Sequence, residues 1–329
     1  MAVIGAGSWG TALAVQAARS GYVARLWTRD ALRLRDMQRA RCNERYLPTV
    51  EFPPSLEVAT DIREALEGAR DVLVVVPSQA FRATLQFIEP LVGPDMRLAW
   101  ATKGFELSSG LLPHQVAAQV VGLRSVAVLS GPTFAREVGA GLPTAMTVAA
   151  RDQVFAQALA ERLSGAAFRV YMQSDLIGVE VGGAVKNVIA IGSGIADGMG
   201  FGANTRVALI TRGLAEMMRL GVKLGAARET FMGLAGLGDL VLTCTDDQSR
   251  NRRLGLALGQ GVSLARAQAD IGPVIEGILA ARAVCAVAAR EEVDMPICRE
   301  ICRVMHDGKP AERAVRDLMS RDMRSESDV

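Results

Sequence analysis

Histidine is nearly absent from this 329-residue chain, which has only His114 and His306, and its five cysteines, Cys42, Cys244, Cys285, Cys298 and Cys302, form no C-x-x-C pair. That scarcity supplies neither a metal-ligand spacing nor a disulfide framework. Free thiols suit a reducing compartment, so a cytoplasmic protein is expected. An excess of one charge is lacking too: 37 basic and 35 acidic residues leave a net +2. No global field draws nucleic acid, and any anion must be bound by a local cluster. No basic leader precedes an apolar core at the N-terminus, and no uninterrupted apolar run approaches the roughly 20 residues of a spanning helix. A soluble, unsecreted chain with no integral membrane segment is expected. Neither a fixed-period repeat nor a basic amphipathic helix suited to a membrane surface is present.

Half of the residues are apolar, enough for a sizeable core and for about two domains. The strongest single signal lies in the first ten. A short apolar strand from Met1 to Ile4 runs into Gly5-Ala6-Gly7-Ser8-Trp9-Gly10. Gly5 suits the tight turn, Gly7 close approach to a pyrophosphate, and Gly10 packing of the next helix on the sheet. Helix formers from Thr11 and an apolar segment from Val23 to Trp27 complete the order strand, turn, helix, strand. That order favours a dinucleotide at the helix N-terminus over a bare packing device. The end of the second strand should choose the cofactor, and it offers Thr28-Arg29-Asp30. A guanidinium there can pair with a 2′-phosphate and stack on adenine, so NADP(H) is the expected preference. NAD(H) stays possible through Asp30 on a ribose hydroxyl. The shortness of the first strand suggests either a chain start upstream of Met1 or a trimmed strand.

Further strand-length apolar segments recur at 71–76, 97–101 and 125–129, with another pair at 145–149 and 168–171, and helical stretches such as 62–68 and 80–91 intervene. Val72 to Val76 shows no alternation, as expected of a parallel strand covered on both faces. The expected fold class is α/β, an N-terminal doubly wound Rossmann-type sheet followed by an all-helical C-terminal domain. The change of texture sets a dinucleotide-binding domain at 1–177 and a helical substrate-binding and catalytic domain at 178–329. Asn204 can cap a helix with Val207, Ile210, Leu214, Met217 and Met218 on its apolar face. Gly182, Gly183, Gly192, Gly194 and Gly198 in a helical pattern imply close helix packing.

Ligands of an open parallel sheet bind beyond the C-terminal ends of its strands, where this chain carries Pro77-Ser78-Gln79, Thr102-Lys103-Gly104 and Ser130-Gly131-Pro132-Thr133. Lys103 alone reads as a solvated loop lysine; its place after a buried strand favours a site role. Lys186 stands amid small and apolar residues in Gly182-Gly183-Ala184-Val185-Lys186-Asn187-Val188. Burial and a nearby like charge both ease loss of its proton, which suits acid–base work. The structural alternative is a buried ion pair to Glu180 or Asp239. Asp239 lies in a glycine-rich apolar run, with Thr243 following. Ser249, Arg250 and Asn251 look built for an anion near a helix start, with Arg250 as a forked phosphate donor. Arg252 and Arg253 need be no more than a solvated basic helix end. Glu276, after Pro273-Val274-Ile275, fits a cofactor amide or ribose contact.

The segments GAGSWGTALA, ATKGFE, SGPTFAREV, GGAVKNV, AGLGDL, SRNRRLG and VIEG span nearly the whole chain. Together they resemble the bacterial NAD(P)-dependent sn-glycerol-3-phosphate dehydrogenases. The resemblance implies reversible reduction of dihydroxyacetone phosphate to sn-glycerol 3-phosphate for phospholipid synthesis, and a homodimer. It puts Ser8, Trp9, Arg29, Lys103, Ala135, Arg250, Val274 and Glu276 at cofactor contacts, and Tyr46 at a further cofactor-contacting aromatic. Lys103, Gly131, Thr133, Lys186, Asp239, Ser249, Arg250 and Asn251 match substrate contacts. Lys186 matches the catalytic lysine that exchanges the C2 hydroxyl proton, with Lys103 and Asp239 positioning the substrate and tuning it. Thr28 departs from the pattern, where a second basic residue is common. A related β-hydroxyacid or ketopantoate-type reductase would carry a carboxylate-binding cluster in place of the Arg250 site. A non-catalytic NAD(P)-binding redox sensor would need no proton donor.

Overall fold

The computed structural model describes residues 1–272, 275–322 and 325. Two compact units emerge, Met1–Lys103 with Pro113–Leu176, and Gly104–Leu112 with Ile177–Val329. The first begins with β1 (Ala2–Ile4), α1 (Ser8–Arg19), β2 (Ala24–Trp27) and α2 (Ala31–Ala40). A small hairpin of β3 (Cys42–Asn43) and β4 (Leu47–Glu51) follows, then β5 (Leu56–Val58), α3 (Ile62–Leu66), β6 (Asp71–Val74), α4 (Ser78–Ile88) and β7 (Arg97–Trp100). The remainder is α5 (Pro113–Val121), β8 (Val126–Ser130), α6 (Ala135–Ala140), β9 (Thr144–Ala150), α7 (Gln153–Leu163) and β10 (Phe168–Gln173).

Eight of these strands form one sheet in the order β10-β9-β8-β7-β6-β1-β2-β5. All neighbours are parallel except β8 and β9. β1 lies between β2 and β6, where the direction of chain order reverses, and a doubly wound sheet binds its ligand at the strand ends of such a point. Every residue of β1 and β6 is buried, which explains the apolar run of β1 and of Val72–Val74; Asp71, which opens β6, is buried in ion pairs with Arg97 and Arg162. Leu13 and Val15 of α1 pack with Leu26, Leu73, Leu129 and Phe155 in the core of this unit. β6 ends at Val74, so Val75 and Val76 already belong to the strand-end tail.

The second unit contains α8 (Leu176–Gly198), α9 (Ala203–Lys223), α10 (Asp239–Thr245), α11 (Arg250–Gly259), α12 (Leu264–Ile271), α13 (Glu276–Arg290), α14 (Pro296–His306) and α15 (Ala311–Met319). Gly104–Leu112, which a linear boundary at 177 leaves with the sheet, clusters with the helices. Phe105 and Leu112 join the helical core, and Arg290 Nη1 donates to the Ser109 carbonyl at 3.2 Å. By length and composition α8 could span a bilayer, although Lys186 and Glu180 interrupt its apolar run; 94% of its apolar window is buried inside the protein, the setting of a core helix. Its glycines serve the close packing expected of them. A Cβ on Gly194 would overlap the Arg252 carbonyl oxygen, and one on Gly255 the Ile191 carbonyl oxygen, so α8 and α11 meet backbone to backbone. At α9 the structure departs from the expected start: extended Gly202 is the N-cap, Asn204 lies inside the first turn, and Val207 is 63% exposed.

Candidate active site

The glycine turn is shaped by its neighbours. The Gly5 N–H donates to the Trp27 carbonyl at 2.8 Å, fastening the turn to the end of β2. Gly5 has φ +118°, and a Cβ there would overlap the Val75 carbonyl oxygen, while one on Gly10 would overlap that of Gly5. Both positions therefore require glycine. Gly7 is different: a Cβ there would meet no atom of the described residues within 4 Å. Its missing side chain opens space at the N-terminus of a 12-residue helix whose N-cap supplies no side-chain hydrogen bond. The positive helix end and its backbone N–H groups thus face a cleared approach, which fits a dinucleotide pyrophosphate. Ser8 and Trp9 are half-buried in this first turn.

The other sheet-borne candidates gather at the same C-terminal strand edge. Lys103 follows β7 and is half-buried; the preceding Thr102 Oγ1 donates to the Val76 carbonyl at 2.7 Å, binding the tails of β6 and β7 together. After β8, Gly131 has φ +148°, and a Cβ there would lie 2.9 Å from the Met146 Cα. Thr133 Oγ1 donates to the Gly131 carbonyl at 3.2 Å, and Ala135 opens α6. Arg29 is exposed just past β2. Tyr46, in the turn between β3 and β4, lies beneath the guanidinium groups of Arg33 and Arg45.

In the helical unit a π-helical turn, Leu234–Gly238, delivers Asp239 to the start of α10. Such wide turns often mark functional sites, and glycine makes this one possible: a Cβ on Gly236 would come within 2.5 Å of the Phe231 Cα. Lys186, 8% exposed on α8, ion-pairs with Asp239, and its Nζ donates to Thr243 Oγ1 at 3.0 Å. Thr243 Oγ1 in turn donates to the Asp239 carbonyl at 2.6 Å. Asp239, one of the two acids the sequence offered as partners, makes an ion pair with Lys186. Beside Lys186, Asn187 Oδ1 accepts from Asn251 Nδ2 at 2.9 Å, and Asn251 Oδ1 accepts the Gly277 N–H at 3.0 Å. This chain joins α8, α11 and the start of α13, where Glu276 is half-buried. Val274 lies outside the described residues.

Ser249 is the N-cap of α11, its Oγ accepting the Arg252 N–H at 3.2 Å, and Arg250 follows it exposed. Arg252 corrects the sequence reading: it is buried, not a solvated helix end. Its Nε donates to the Cys244 carbonyl at 3.1 Å, Nη2 to Asp197 Oδ2 at 2.7 Å, and Nη1 pairs with Asp247. Asp197 also holds Arg206. Only this network makes a buried guanidinium tolerable, and it fixes the turn that presents Ser249, Arg250 and Asn251. Arg253 is exposed as expected. Sequence reasoning gave no role to Thr243 or Asn187. The i,i+4 spacing of Asp239 and Thr243 on one helix face is the signal that could have found Thr243.

Residues 1–156 match the family model for the NAD-dependent glycerol-3-phosphate dehydrogenase N-terminus, and residues 175–316 that for its C-terminus. The chain is 56% identical over 327 residues to glycerol-3-phosphate dehydrogenase (NAD(P)+) of Thioalkalivibrio sulfidiphilus, covering 99% of this chain and 98% of that protein. Identity is 54% over 328 residues to the protein of the same name from Photobacterium profundum, covering 99% and 97%. The crystal structure of glycerol-3-phosphate dehydrogenase from Coxiella burnetii matches with a TM-score of 0.93 at 48% identity, covering 97% of this chain and 98% of that one.

Proposed function

The chain belongs to the NAD-dependent glycerol-3-phosphate dehydrogenase family, and from that premise we propose that Lys186 is its proton donor and Arg250 its phosphate anchor. It is an NAD(P)-dependent oxidoreductase that reversibly reduces dihydroxyacetone phosphate to sn-glycerol 3-phosphate. When bound, the reduced nicotinamide supplies the hydride that adds to C2 of the ketone. Lys186 Nζ gives its proton to the carbonyl oxygen as the alkoxide develops and takes it back in the oxidative direction. Asp239 compensates the buried ammonium, and Thr243 fixes its direction. Arg250, Ser249, Asn251 and the N-terminal end of α11 hold the phosphate. Lys103, Gly131 and Thr133 bind substrate from the strand ends.

The observation that carries this reading is the hydrogen bond from Asn251 to Asn187. It couples the neighbour of the proton donor to the neighbour of the phosphate guanidinium, so the two ends of a small phosphorylated ketone meet groups held in one register. An ion pair with a purely structural role would not require that coupling.

For the cofactor, Gly5, Gly7, Gly10, Ser8 and Trp9 bind the pyrophosphate side, while Arg29, Tyr46, Lys103, Ala135, Arg250, Val274 and Glu276 complete the contacts. NADP(H) is preferred through Arg29, with NAD(H) as a second substrate. A cytoplasmic homodimer feeding glycerophospholipid synthesis completes the proposal. The test is NADPH absorbance with dihydroxyacetone phosphate and purified protein; absence of oxidation would overturn it. Lys186→Ala should abolish most turnover and leave NADPH binding nearly intact, and loss of cofactor binding would instead mark Lys186 as structural.

A further inference from the structure

Asp30 is the acid that a dinucleotide-binding sequence would set against a ribose hydroxyl, and the fold gives it other work. It leaves the sheet beside the glycine turn, three residues past Trp27, whose carbonyl holds the Gly5 N–H. Its carboxylate caps α2, accepting the Arg33 N–H at 3.2 Å, and pairs with Arg33 Nη2 at 3.1 Å. The Arg33 guanidinium is held from the other side by Tyr46, its Cζ 5.1 Å from the ring centroid. Arg33 is 19% exposed and Asp30 41%. A pair so open to solvent contributes little to stability, which leaves its placement at the cofactor-selecting strand end to be explained.

We propose that Arg33 sets cofactor preference by sequestering Asp30. Paired and engaged as a helix cap, the carboxylate is a weaker acceptor for a ribose 2′-hydroxyl and repels a 2′-phosphate less, so the exposed Arg29 dominates the local charge. This deepens the reading of Arg29 as the 2′-phosphate partner and rests on it.

Calorimetric titration of the full chain with 2′,5′-ADP and with ADP measures selectivity without turnover. Arg33→Gln should weaken 2′,5′-ADP about ten-fold by releasing the Asp30 charge, with ADP unchanged or bound more tightly. Adding Asp30→Asn, which keeps a capping side chain, should bring 2′,5′-ADP back to within about three-fold of the parent chain. Equal weakening of both ligands, an unchanged ratio between them, or a double variant no better than the single one would overturn the proposal. A parent chain with no preference for 2′,5′-ADP would refute the Arg29 reading, whereas the Arg33 inference is judged on the change in ratio that Arg33→Gln produces.

Discussion

Asp239→Asn leaves the Lys186 ammonium inside the helical unit without its counter-charge, facing the Thr243 hydroxyl. Removing one partner of a buried pair destabilises by about 3–5 kcal/mol, because the remaining charge is desolvated without compensation. Lys186→Met should cost less, since Asp239 occupies the first turn of α10, where the helix N-terminus offsets up to about 1 kcal/mol. The double variant removes both charges and fills the volume with a flexible apolar chain, so it should be nearly as stable as the parent. With both single losses recovered in the double variant, the expected coupling is at least about 3 kcal/mol, or at least about 6–12 °C in melting temperature for a domain of this size. Calorimetric melts of the four proteins at neutral pH measure it. Additive losses, or an Asp239→Asn protein that melts with the parent, would refute the claim that this pair is held by mutual compensation. Turnover should be lost in all three variants whatever their stability, since each removes the proposed proton donor or its counter-charge.

Arg250→Gln should raise KM for dihydroxyacetone phosphate about 10- to 100-fold, the equivalent of one charge-assisted hydrogen bond to phosphate, and an unchanged KM would refute the anchor. Gly255→Ala should lower stability by at least about 1–3 kcal/mol, because its Cβ would overlap the backbone oxygen of Ile191, which cannot swing aside; an unaltered thermal melt would show that α8 and α11 can separate freely. Glu216 accepts the N–H groups of Ile297 and Cys298 at 2.6 and 3.0 Å, and burial holds its carboxyl above the usual carboxylate range. A raised acid binds its proton more tightly when folded, so its contribution is complete below the ordinary value of 4.5 and is lost as pH rises through the folded value. Urea midpoints measured across that window should therefore fall with pH in the parent and flatten in Glu216→Gln; parallel curves would exclude Glu216 as the source.

The glycine turn was legible because its constraints are local. Gly5 and Gly10 are shaped by backbone atoms of an adjacent strand and of the turn itself, and the strand-turn-helix order displays them. The candidate strand-end residues were legible for a similar reason: parallel strands covered on both faces read as unbroken apolar runs, so the tails after them can be located by eye. Arg252 shows where such reading stops. Beside Arg250 and Arg253 it looks like one more surface cation, and only the arrival of Asp197 from α8 and the Cys244 carbonyl from α10 buries it. The capping of α2 by Asp30 was likewise hidden, since an acid at a strand end serves a ribose or a helix equally well.

The sequence by itself determined the class of fold, the place of the glycine turn and the residues that follow the strand ends, because these follow from hydrophobic period and from turn geometry within a few residues. Tertiary structure decided which side chains act together. Lys186 and Asp239 are separated by 53 residues, Asn187 and Asn251 by 64. The second meeting depends on how closely α8 and α11 approach, a distance set by glycines on both helices, and the first on the π turn that packs against Gly182 of α8 and leads into α10.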